Sequence, residues 1–198
     1  MRTLSVLALI AGLYGLANPA SAQQQNVNVR GTIVAVESNL MRVKARDDRD
    51  VDVVLPEGIA VATTKAFSLA DVKPGMVLGV TTVRGADGAT IAIDVRPIPP
   101  AANRGLFPYD LQPEATMTNA VVEGTGQASG GNELTLNYQS GAVKVLVPPG
   151  TPMSQSAPGS RDDLKAGETV FVVARPDPTG RLTATRIQVS TDGVKPTQ

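Results

Sequence analysis

Apolar and polar residues alternate in short runs along most of the chain, and Gly, Pro and Asp bound the runs. Val27, Val29, Thr32, Val34 and Val36 alternate roughly with other residues over 27–36. A second run covers 40–45. Arg46-Asp47-Asp48-Arg49-Asp50 then makes a polar turn, and Val51, Val53 and Leu55 share one face of a third run. A period of two marks a half-buried strand, because successive side chains point to opposite faces. Pro56-Glu57-Gly58 ends the third strand. A loop leads to Ser68-Leu69-Ala70-Asp71, whose Ser-x-x-Asp spacing predicts a capped helical turn. Lys73-Pro74-Gly75 turns into a fourth strand over 76–83, and Gly85-Ala86-Asp87-Gly88 into a fifth over 90–95.

The same order is read a second time. Val29-Arg30-Gly31-Thr32 matches Val122-Glu123-Gly124-Thr125, 93 residues on, and Asn39 meets Asn132. The offset then becomes 92, which a one-residue indel in a turn explains. Residues 51–58 lie on 143–150, Ser68 and Asp71 on Ser160 and Asp163, and Lys73 and Gly75 on Lys165 and Gly167. Strands over 169–174 and 182–189 complete the second copy. This predicts an all-β protein with two tandem five-stranded, barrel-like (OB-like) modules over 23–97 and 118–190. Each module has a short helical turn and closes around its own aliphatic interior. A single β-sandwich using both copies is the alternative. Five prolines from Pro97 to Pro113 make 98–117 a semi-rigid linker, and 191–198 is expected to be a disordered tail.

The N-terminus reads as a leader. Arg2 supplies a positive start, 4–16 is an uncharged, mainly apolar run, and Ala20-Ser21-Ala22 is an A-x-A cleavage pattern. A secretory signal peptide over 1–22 follows, and the mature chain begins at Gln23. The run is shorter than the roughly 20 residues of a membrane span. No later segment is apolar enough to span a bilayer. A periplasmic or secreted location is the expectation.

Composition narrows the chemistry. The chain has no Cys and no His. Disulfides, thiolate or imidazole nucleophile systems and the common zinc, copper and iron–sulfur sites are thereby excluded or disfavoured. Carboxylate-pair hydrolysis is the main hydrolytic design left. The formal charge is zero, so long-range attraction to nucleic acid or anionic lipid is weak. Phe67, Phe107, Tyr109, Tyr138 and Phe171 are the only aromatics after the leader. That is too few for base stacking over a basic groove, and no nucleic-acid partner is expected.

Several residues invite a chemical reading. Asp48, Asp50 and Asp52 alternate and offer oxygen ligands to a cation, but Arg46 and Arg49 stand among them, so an edge-protecting hairpin tip is favoured. Asp162-Asp163 and the paired Lys73 and Lys165 are explained by caps and turns. Leu106, Phe107 and Tyr109, in the proline-bounded segment, are the partner-binding candidates; covering the seam between modules is the competing role. No catalytic residue, metal or cofactor is assigned.

Each copy has the form V-x-G-T, a V-x-V strand closed by Pro-x-Gly, D-[VL]-K-x-G, a turn glycine and a final strand. This pattern resembles the DUF5666-like exported bacterial domains over most of both copies. The resemblance implies a small β-barrel and an envelope setting, and carries no catalytic residue. A weaker similarity is to the tandem oxyanion-binding barrels attached to transporter ATPases. The reading is a non-enzymatic binding or scaffold protein whose partner is an envelope protein or glycan. A purely structural envelope component is the second reading. A glycan hydrolase and an oxyanion- or metal-binding module rank below both.

Overall fold

A computed structural model describes residues 25–196; the leader expected over 1–22 lies outside them. The first run of strands is β1 (Val27–Glu37), β2 (Leu40–Ala45), β3 (Asp50–Val54), β4 (Val61–Ala66), β5 (Val77–Arg84) and β6 (Thr90–Pro97). A short β7 (Gly105–Pro108) precedes β8 (Thr116–Ala128), β9 (Gly131–Asn137), β10 (Ala142–Val147), β11 (Ser154–Pro158), β12 (Thr169–Pro176) and β13 (Leu182–Val189). Single 3-10 turns occupy Leu69–Asp71 and Arg161–Asp163. Both are capped as the Ser-x-x-Asp spacing predicts: Asp71 accepts from the Ser68 backbone N–H at 2.9 Å, and Asp163 from that of Ser160 at 2.7 Å.

The strands close into two five-stranded barrels. In the first, β1, β2 and β3 follow one another, β3 lies parallel to β13, β13 pairs β12, and β12 returns antiparallel to β1. In the second, β8, β9 and β10 follow one another, β10 lies parallel to β6, β6 pairs β5, and β5 returns to β8. The all-β class, the five-strand count and the helical turns agree with the sequence. The boundaries do not. Each barrel takes three strands from one half of the chain and two from the other, so modules closed within 23–97 and 118–190 are not what the pairings build.

The exchange occurs at β4, in the segment expected as a loop before Ser68, and at β11. After β3 the chain runs along the first barrel as β4, parallel to β13, and then enters the second barrel as β5. After β10 it runs as β11, touches the second barrel through a Val95–Met153 bridge, and enters the first as β12. The two crossing strands pair antiparallel with Thr64 opposite Ser156, 92 residues apart. A local two-fold axis therefore passes through that pair.

Both interiors are aliphatic and mixed. Met41, Val43 and Val53 pack with Val172 and Ile187 in the first; Leu78, Val80 and Val95 pack with Leu134, Leu136 and Val145 in the second. Burying one such side chain contributes about 1.5–3 kcal/mol. Leu164 after one 3-10 turn closes into the first interior, and Phe67 and Val72 around the other close into the second. Gly31 is fixed by the close approach of β1 to β2. A Cβ there would stand 2.1 Å from the Lys44 carbonyl oxygen.

Backbone bonds correct the alignment of the first strands. Ile33 donates to Glu168 O and accepts from Gly167 N–H; Val122 donates to Met76 O and accepts from Gly75 N–H. Ile33 thus corresponds to Val122, an offset of 89, and the V-x-G-T match is not a structural one. The β8–β9 hairpin takes up the difference: it extends to Ala128 opposite Gly131, whereas β1–β2 turns at Glu37 opposite Leu40.

Two further expectations change. Residues 98–117 do not form a spacer: β7 adds to the edge of β8, and Thr116 and Met117 already belong to β8. The tail is packed as far as it is described. Thr191 and Val194 form a bridge, the Thr64 hydroxyl donates to the Val194 carbonyl, and Pro196 is buried. A short turn with one side-chain anchor is enough to hold it.

Candidate functional site

The outward faces of the two barrels meet at a seam rich in arginine. Arg30 on β1 stands directly opposite Phe171 on β12, so the two side chains share the outer face. Its guanidinium carbon lies 5.0 Å from the Phe171 ring centre and 5.6 Å from that of Tyr109. Arg96 on β6 approaches Tyr109 at 5.9 Å, and Arg186 on β13 approaches Phe171 at 5.7 Å. Tyr109 is therefore touched by one arginine from each barrel. Distances of this kind favour a cation over a ring face.

Two carboxylates complete the seam. Asp110 receives a two-pronged contact from Arg30, at 2.8 and 3.2 Å, and Asn28 donates to both its oxygens. Hydrogen bonding from Arg30 holds the Asp110 carboxyl below the usual range. Burial alone would lower the Arg30 pKa, but Asp110 outweighs it and the value is raised. The Nε of Arg30, buried between the rings, has no hydrogen-bond partner. Asp94 on β6 is 1% exposed. It accepts from Arg96 at 3.0 Å and from the Thr81 hydroxyl at 3.0 Å. Burial nevertheless raises its pKa from 3.8 to about 6. Asp94 and Arg186 stand 92 residues apart at corresponding places of the two barrels, with opposite charges.

Each barrel also has an open mouth beside its first strand. The groove of the first barrel, about 290 Å³, lies among Val27, Val29, Val51 and Leu182, with Arg46 and Asp110 at its rim. That of the second, about 450 Å³, lies among Thr116, Thr118, Val143 and Thr90, with Tyr138 and Leu106 beside it. Four wall positions correspond, Val27 to Thr116, Val29 to Thr118, Val51 to Val143 and Leu182 to Thr90, while Arg84 lines only the second groove. Their chemistry differs: Asn119 stands where the first barrel has Arg30, and the Tyr138-Gln139 turn where it has Ala45-Arg46.

The sequence candidates separate in space. Tyr109 belongs to the seam, its N–H donating to Ala115 O at 2.9 Å. Leu106 and Phe107 stay 49% and 39% exposed on β7, which pairs on one side only. Asp52 and Asp50 face cross-strand partners, Arg42 at 2.8 Å and Lys44 at 3.6 Å, while Asp48 sits in the turn with positive φ. The three therefore do not converge on one ion. Among the described residues, no group of three His, Cys, Asp or Glu side chains could hold a metal ion. Lys73 and Lys165 are exposed at their turns.

Sequence reasoning missed Arg30, Arg46, Arg96, Arg186, Asp94 and Asp110. The available signal was charge inside a strand: Asp94 and Arg96 flank the core residue Val95. No helix among the described residues is long and apolar enough to cross a membrane. Comparison with protein-family models, curated proteins and solved structures gave no match.

Proposed function

We propose that this chain is an exported, non-enzymatic binding or scaffold protein that holds a protein partner along the free edge of β7. The observation that carries the reading is the exposure of Leu106 and Phe107 on a strand bonded only to β8. An extended segment can add to such an edge through its backbone, with apolar side chains reading the exposed pair. Pro108 closes the edge to longer pairing. Export is supported by the leader pattern over 1–22, and the envelope setting by the resemblance to DUF5666-like domains. Tandem duplication as the origin of the chain is supported by the equal strand order of the barrels and the Thr64–Ser156 axis.

The carboxylates favour binding over hydrolysis. A carboxylate hydrolase needs an acid with a raised pKa in a cleft. Asp94 is the raised carboxyl, yet it is buried and lines neither groove. Asp47 and Asp110 line the first groove, but hydrogen bonds from Arg49 and Arg30 hold their pKa values down. The test is a crosslinking pulldown of mature protein from its own periplasm. With Leu106→Ser and Phe107→Ser together, the captured protein is lost and the melting temperature is unchanged. Undiminished capture, or a marked fall in melting temperature, would support the purely structural reading instead.

A further inference from the structure

We propose that the mouth of the first barrel binds a small organic monocarboxylate, with Arg46 pairing its carboxylate and the aliphatic groove wall taking its hydrocarbon body. The argument begins with charge. Three arginines border this groove, and two are already matched: Arg30 with Asp110, and Arg49 with Asp47 at 2.7 Å. Arg46 has no hydrogen bond or ion pair from its side chain among the described residues. Its backbone N–H donates to Arg30 O at 3.0 Å, which fixes the residue beside a second guanidinium. The residue as a whole is exposed, but desolvation where its guanidinium lies against the groove, and then the positive charge of Arg30, push its pKa below the ordinary arginine value. An incoming anion offsets the Arg30 repulsion and supplies the hydrogen bonds the guanidinium lacks. The Asp110 oxygens are occupied by Arg30 and Asn28, so Asp110 does not compete for Arg46.

Shape and wall chemistry select the class. The cavity of about 290 Å³ lies at the small end of ligand pockets. Val27, Val51, Leu111 and Leu182 give it an apolar wall, and one unmatched cation suits one negative charge. The second barrel provides an internal control. Asn119 and Gln139 replace Arg30 and Arg46 there, and its own arginine, Arg84, comes from a different strand and donates to the Gly88 carbonyl at 3.0 Å, so the paired guanidinium arrangement is particular to the first mouth. The site is separate from the β7 edge, which lies on the second barrel.

Hexanoate is the probe, with hexanol and inorganic phosphate as the uncharged and non-carbon comparisons. Backbone amide shifts of the mature full-length chain are followed by NMR during titration. Hexanoate is expected to shift β1, the β2–β3 turn and residues 110–111, with affinity falling at least tenfold in Arg46→Gln and largely restored in Arg46→Lys. Hexanol and phosphate are each expected to bind at least tenfold more weakly. Equal melting temperatures of the variants establish that the fold is kept. The double Leu106/Phe107 variant retains hexanoate binding, which separates this site from the proposed partner edge. The proposal is overturned if hexanoate shifts no residue of this mouth, if Arg46→Gln binds as tightly as the native chain, or if phosphate binds as well as hexanoate.

Discussion

Asp94 shows how one residue couples the seam to pH. In the unfolded chain its carboxyl titrates near 3.8; folded, burial lifts it to about 6. Between those values the folded protein binds the proton more often than the unfolded chain. The contribution of Asp94 to stability therefore falls as pH rises from about 4 to 6, by at most about 3 kcal/mol, and is level above that window, while the lowered carboxyls of Asp47, Asp52, Asp110 and Asp177 act in the opposite sense near pH 4. The chain has no histidine, so no imidazole titration overlaps. Urea unfolding across this range is expected to show that slope, and Asp94→Asn to flatten it; an unchanged slope in the variant contradicts the assignment. Tyr109 and Phe107 make the second comparison. Tyr109→Ala removes two arginine contacts and uncovers the seam, at an expected cost of about 2–3 kcal/mol. Phe107→Ser alters an exposed ring and is expected to cost under about 0.5 kcal/mol. Denaturant midpoints measure both. The seam was not legible in the sequence because a strand arginine reads the same whether it faces water or a neighbouring barrel.

At the level of elements, most strands announced themselves. The bounds of β2 and β13 match the alternation over 40–45 and 182–189, and both 3-10 turns fall at their Ser-x-x-Asp signatures. β4 and β11 did not, because Val-Ala-Thr-Thr-Lys-Ala and Ser-Gln-Ser-Ala-Pro carry too little apolar alternation to mark a buried face. Beside the buried Val61 and Ala157, their other buried positions are Thr63, Thr64 and Ser154, which are polar. Gly31 gives the sharpest element-scale test. Gly31→Ala places a methyl group against the Lys44 carbonyl, and the β1–β2 ladder must open to admit it. A loss above about 2 kcal/mol is expected, together with faster amide exchange along β1 and β2. Native exchange rates in the variant would show that the close approach is dispensable.

For the whole molecule, the decisive feature is that neither half of the chain owns a barrel. Sequence could not reveal this. β12 offers β1 the same apolar face that β5 offers β8, so the pattern is identical whether a strand pairs within its half of the chain or across to the other. Connectivity decides, through the paired crossing strands β4 and β11. The consequence is an interlocked chain whose halves are expected to stay together when the connection between β6 and β7 is cut. A protease site introduced at Ala101, an exposed position between β6 and β7, allows that connection to be cut in the folded protein. Size-exclusion chromatography of the cleaved, undenatured product is the direct measurement. The account predicts that both fragments elute together at the size of the intact protein and separate only in denaturant, each fragment alone being unfolded. Two separately eluting, folded fragments would contradict it.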